Sequence, residues 1–164
     1  MKNLAIKGDI SNATLVYMQI EVQKILLDLE KNQYALHINS TGGEINPAIE
    51  TGTLLQGLGN RIIGFGHEVV ASSALLIHQS CLGDRIATPT TRFLLHGIQP
   101  PPGKSITEQH RKSEFFIFEH YATMTGRTLE QIYALAAKNK YINAKEALDF
   151  GFITKIIEYP FPTF

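Results

Sequence analysis

Up to residue 96 the chain alternates short apolar runs with helix-period segments, and that alternation restricts it to α/β architectures. Leu4-Ala5-Ile6 reads as a strand stopped at Gly8. Leu15, Met18, Val22, Ile25, Leu26 and Leu29 recur at three- and four-residue spacing, which predicts one apolar helix face. Tyr34 to Ile38 is the next strand. Asn46-Pro47 opens a helix, the Asn as cap and the Pro in the first turn, and that helix ends around Gly57 to Asn60. A strand over Arg61 to Phe65, a helix from about Val70 to Cys81, and strands at Arg85 to Ala87 and Phe93 to His96 follow.

Gln99-Pro100-Pro101-Pro102-Gly103 is the one break, and past it the pattern turns helical. Ser105-x-x-Glu108, Thr128-x-x-Gln131 and Asn143-x-x-Glu146 match or approximate capping boxes, so three helices are predicted, with Gly126 and Gly151 as stops. Phe115-Phe116-Ile117-Phe118 spreads apolar side chains over more than one helix face, as in a helix buried against both its own domain and a neighbour. Phe152 to Ile157 is the last strand. One domain over residues 1–164 accounts for this order.

Charge narrows the function classes. Fifteen Lys and Arg balance fifteen Asp and Glu, which argues against nucleic acid or an anionic membrane as partner. The charged fraction is only 18%, so part of the apolar surface is expected to be covered by other subunits. A single cysteine, Cys81, excludes an internal disulfide framework and any multi-cysteine metal site. With no stretch of signal-peptide or transmembrane character, a soluble cytoplasmic protein is the expectation.

Several motifs fail on inspection. His67-Glu68 begins like a zinc-protease helix, but Ala71 stands where the second His is needed. Gly64-Phe65-Gly66 lacks the third glycine of a dinucleotide fingerprint, with Val69 in its place. The six histidines show no tight ligand spacing, so neither a metal nor an organic cofactor is expected.

Three features remain. Thr41-Gly42-Gly43 follows a strand and precedes a helix; it reads equally as a tight turn or as backbone N–H groups opened toward a bound oxyanion. Ala71-Ser72-Ser73-Ala74 lies near a helix start, where the helix dipole favours an attacking oxygen, or where small residues relieve crowding. His96 ends an apolar strand, as a general base for a serine or as a packing residue.

In this order the three features resemble the proteolytic subunit of the Clp protease, a family of the crotonase-like superfamily. The resemblance runs from Ile6-Lys7-Gly8-Asp9-Ile10 to the segment Ala144 through Ile153, with Ile38-Asn39-Ser40-Thr41-Gly42-Gly43 and Arg85 through Pro89 to His96 as its strongest anchors. It implies a fold of repeated β-β-α units with a helical handle, here about residues 97–126. It implies a serine peptidase acting on peptides or unfolded protein, in which Ser72 is the nucleophile, His96 the base, and the N–H groups of Gly43 and Ser73 the oxyanion hole.

The departures carry their own expectations. Counting back from His96 without a gap sets Ala71 at the nucleophile position, which leaves Ser73 as a second candidate beside Ser72. Asn139 stands where the family has the triad Asp; it can orient the imidazole but cannot offset its charge, and in a serine protease that change costs about 10⁴ in rate. A catalytically weak or inactive paralogue serving as a structural subunit is therefore the alternative. An acyl-CoA enzyme built on the same oxyanion hole is a further rival, for which only Glu44 and Glu68 offer carboxylates. The prolines in the handle lack the N–H groups that pairing between two rings needs, which argues against a two-ring barrel and for a single ring or smaller homo-oligomer. Ala35 and His37 occupy positions commonly aromatic where unfoldase loops dock, which argues against an AAA+ unfoldase as partner.

Overall fold

Alternating side chains on five parallel strands divide the molecule in two. The computed structural model describes residues 1–158. Strands β1 (Lys2–Lys7), β2 (Tyr34–Ser40), β3 (Ile62–Ala71), β4 (Arg85–Ala87) and β7 (Lys155–Ile156) lie in that order, each parallel to its neighbour. Leu36 and Ile38 enter the main core with Leu4, Ile6 and Ile62, and helices α1 (Asn12–Leu26), α2 (Ile45–Gln56) and α3 (Ser73–Gln79) supply Met18, Leu55 and Leu75. The intervening residues Ala35, Ile63, Phe65 and Ile86 form a separate cluster on the other side, to which no helix among the described residues contributes.

A second register begins within β3. Its first half pairs with β4, while Val69, Val70 and Ala71 pair with Arg92, Phe93 and Leu94 of β5 (Arg92–Leu94). Between the halves, Glu68 has φ 40°, and the pairing of β2 with β3 shifts between Ile38 and Ser40. Strand β5 also pairs antiparallel with β6 (Ile142–Asn143). The helical remainder is α4 (Glu108–Thr125), α5 (Leu129–Lys138) and α6 (Ala144–Phe150).

Several boundaries differ from the sequence reading. The helix predicted over Val70 to Cys81 begins only at Ser73, because Val69–Ala71 are claimed by β5, more than twenty residues away. Helix α2 starts at Ile45 with Glu44, not Asn46, as its N-cap; the Glu44 N–H donates to the Ile10 carbonyl (2.8 Å), so a tertiary contact sets this start. Helix α1 stops at Leu26, and Leu26 and Leu29 are exposed, since the chain turns where Tyr34 Oη bonds Asp28 (2.6 Å). The box expected from Ser105 and Glu108 forms instead between Thr107 and His110, whose ring Nδ1 takes the Thr107 N–H. The other two boxes and the left-handed caps at Gly126 and Gly151 form as read. On α4, Ile117 and Phe118 are buried while Phe115 and Phe116 are exposed.

Candidate active site

The second half of β3 delivers Ser72 to a sharp strand-to-helix turn. Ser72 has φ 55° and ψ −127°, a combination side-chain-bearing residues rarely adopt. Two contacts hold it there. Its N–H donates to the Leu94 carbonyl of β5 (2.9 Å), and its own carbonyl accepts from the Leu75 N–H (3.0 Å) in the first turn of α3.

The turn 41–43 closes over this elbow. A Cβ on Gly42 would stand 2.8 Å from Ser72 Cβ and 3.0 Å from the Ala71 carbonyl, and Gly42 has φ 108°, so only glycine fits. Gly43 runs alongside Ile10, whose N–H donates to the Gly42 carbonyl (2.9 Å). The N–H of Gly42 is taken by Ser40 Oγ (3.0 Å). Those of Gly43 and Ser73 have no hydrogen-bond partner among the described residues. The sequence marks the double glycine for its N–H groups; the close approach of Gly42 to the serine is a tertiary contact that no local pattern signals.

The two serines differ in access. Ser72 is half-buried and lines a cavity of about 550 Å³. Ser73 also borders it, but its residue is 2% exposed and its Oγ is buried without a hydrogen-bond partner. Gly43 and His96 line the same cavity, so four of the five candidate residues converge there.

His96 lies two residues past β5 and is half-buried. Its Nδ1 is 2.6 Å from the Gly97 carbonyl. A carbonyl only accepts, so Nδ1 carries the proton in the neutral ring and Nε2 is left as the basic nitrogen. Tyr121 closes part of the cavity; burial holds its phenol above the ordinary range, so it stays neutral.

Asn139 does not join them. It is exposed, is absent from the cavity lining, and caps α5 with φ 46° and ψ 47° while its N–H returns to the Ala136 carbonyl (3.1 Å). Sequence reasoning also passed over Glu114, one of the acidic residues at the cavity, whose Oε2 accepts from the Ile98 N–H (2.7 Å). No short-range pattern links two residues sixteen apart on different elements.

Among the described residues no group of three or more His, Cys, Asp or Glu could hold a metal. His37 and His67 meet at 2.7 Å (Nδ1 to Nε2), but neither lines the cavity; burial and the neighbouring His67 push His37 down to about 4. No described helix is long and apolar enough to cross a membrane.

A serine at a strained elbow, a histidine with its basic nitrogen free and open backbone N–H groups on one cavity suit acyl transfer from a carbonyl carbon. A family model described as Clp protease matches residues 5–160. The ATP-dependent Clp protease proteolytic subunit 1 of Leifsonia xyli is 31% identical over 151 residues, covering 85% of this chain and 76% of its own. The corresponding subunit 2 of Pseudomonas aeruginosa is 31% identical over 142 residues, 81% of this chain and 70% of its own. Among solved structures, the ClpP protease catalytic domain from Plasmodium falciparum superposes with a TM-score of 0.83 at 24% identity, over 98% of this chain and 87% of that one. ClpP1 from Listeria monocytogenes gives 0.83 at 23%, over 96% and 91%. The mixed α/β architecture with its parallel-dominated sheet is thus the ClpP fold of the crotonase-like superfamily, and the chain belongs to the Clp protease family.

Proposed function

We propose that this chain is a serine peptidase subunit that cleaves peptide or unfolded-protein substrates through Ser72 and His96. The observation that carries it is the elbow at Ser72, held strained on the wall of the cavity that His96 shares. Ser72 Oγ attacks the scissile carbonyl carbon while its proton passes to His96 Nε2, and the carbonyl π pair moves onto oxygen. The N–H groups of Gly43 and Ser73 hold that oxyanion. His96 then returns the proton to the leaving amine, and water repeats the sequence on the acyl-enzyme. No cofactor enters these steps. Ser73 is the weaker nucleophile candidate, because its Oγ is sealed from the cavity.

Asn139 was expected to hold the imidazole. Its place outside the cavity favours the second reading, a structural subunit of low or no activity. Assembly is part of both. Val16 and Ile20 on α1 and Phe115 and Phe116 on α4 are each about half exposed or more, and further copies of the chain would cover them in a homo-oligomer. The relatives' names carry the words "ATP-dependent" and "subunit". Ala35 and His37, which lie on the side of the sheet away from α1–α3, stand at positions commonly aromatic where unfoldase loops dock, so the proposal includes no AAA+ unfoldase; the compartment proposed is the cytoplasm. Intact-mass measurement after fluorophosphonate treatment tests it. One adduct is expected on wild type and Ser73→Ala, and none on Ser72→Ala or His96→Ala. No adduct on an intact oligomer would leave the structural subunit standing.

A further inference from the structure

We infer that Glu114 is the positioning residue for His96, acting through the peptide unit between Gly97 and Ile98. This rests on the reading of His96 as general base. The two bonds already described belong to one peptide group: its carbonyl takes the His96 Nδ1 proton at 2.6 Å, and its N–H donates to Glu114 Oε2 at 2.7 Å. Imidazole, peptide and carboxylate therefore form one line of donors and acceptors.

A second contact lies beside the first. A Cβ on Gly97 would stand 2.8 Å from Glu114 Oε2, so the glycine leaves the room in which the carboxylate lies against the chain, and a side chain at 97 would displace it. Glu114 is half-buried on the face of α4 that borders the cavity, one helical turn from His110, which borders it too. Asn139 makes no hydrogen bond with the ring and lies outside the cavity lining.

The chemistry follows from the direction of the line. With Nδ1 committed to the carbonyl, Nε2 keeps the lone pair that accepts the Ser72 proton. When the ring becomes an imidazolium, the carbonyl oxygen faces the new charge, and the carboxylate at the far end polarises the peptide in the favourable sense. A carboxylate thus serves the histidine although the position of the usual acid holds Asn139. Glu114 orients the base from the handle helix, and the segment after β5 is the connection between them.

The test compares wild type, Glu114→Ala, Glu114→Gln and Asn139→Ala in the assembled protein. Two readouts are taken: the ¹⁵N shifts of the His96 ring, which report which nitrogen carries the proton, and the rate of fluorophosphonate labelling. Expected are an Nδ1-protonated ring in wild type and a mixed population in Glu114→Ala. Labelling of Glu114→Ala should slow by roughly 10- to 100-fold, as when an outer orienting partner is removed. Glu114→Gln keeps an acceptor for the Ile98 N–H and should restore the ring state and most of the rate, which separates positioning from misfolding. Asn139→Ala should leave both unchanged. An unaltered ring and rate in Glu114→Ala would overturn the inference, and so would loss of both in Asn139→Ala. A wild-type chain that takes no label sinks the peptidase reading alone, because the ring nitrogens still decide for or against Glu114.

Discussion

Ser72 and Asn139 both hold a φ that side chains disfavour, 55° and 46°, and they do so for opposite reasons. Asn139, with ψ 47°, is an ordinary left-handed cap at the end of α5, a place that asparagine tolerates better than other side-chain-bearing residues. The need for it is satisfied within four residues. Ser72, with ψ −127°, matches no helix-cap geometry, and it is kept in place by β5 on one side and Gly42 on the other. Such a conformation costs about 1–3 kcal/mol, which the surrounding pairing must offset. The asparagine therefore has a local structural explanation, while the strained serine is held only by contacts from distant segments.

The largest expected effect is all-or-none. Ser72→Ala and His96→Ala should abolish covalent labelling, whereas Asn139→Ala should retain it; loss of labelling in Asn139→Ala would make the two positions functionally alike and break the contrast. Next is Gly42→Ala. Its methyl would meet Ser72 Cβ at 2.8 Å in a backbone at φ 108°, so a loss of about 2–4 kcal/mol is expected, read as a lower denaturant midpoint with labelling gone. A Gly42→Ala protein of unchanged stability would show that the elbow is not held as described.

Acid should separate the two regions further. Helix α3, which starts at the elbow, carries the fully buried His78, pushed down to about 3 chiefly by burial, while α5 carries no histidine. The folded ring stays neutral where the unfolded one takes a proton. Its contribution is thus present above about pH 6.5 and is lost as pH falls toward 3, with a slope of up to about 1.4 kcal/mol per pH unit. Between pH 7 and pH 5 amide exchange in α3 should therefore slow less than the falling intrinsic rate predicts, so that its protection drops, and a His78→Gln protein should show a flatter protection profile.

The smallest effect sharpens the comparison most directly. Ser72→Gly should be more stable than Ser72→Ala by about 1 kcal/mol, because only glycine accepts that backbone without strain. At Asn139 the same pair should differ in the same sense, but Asn139→Gly should fall within a few tenths of wild type, as asparagine already suits the cap. Thermal midpoints of the four variants measure both differences.

Much of the fold was legible because its signals are local. The run Tyr34 to Ile38 read as a strand and forms one, and Thr128 with Gln131 and Asn143 with Glu146 closed their boxes as written. The misplaced starts of α2 and α3 were not legible, since Ile10 and β5 set them from a distance. The same limit applied to the site. Thr41-Gly42-Gly43, Ser72 and His96 stood out by type and order, but the choice between Ser72 and Ser73 turned on burial, and Glu114 gave no signal at all.

The sequence by itself determined the α/β class, the helix ends at Gly126, Thr128, Asn143 and Gly151, and the residue types available for acyl transfer, because caps, glycines and apolar periods act within about four residues. Tertiary structure alone decided which serine faces the cavity, that Asn139 stands outside it, and that a carboxylate from α4 reaches the peptide beside His96. Those are contacts between distant segments, made when the helices pack on one side of the sheet, and no local preference encodes them.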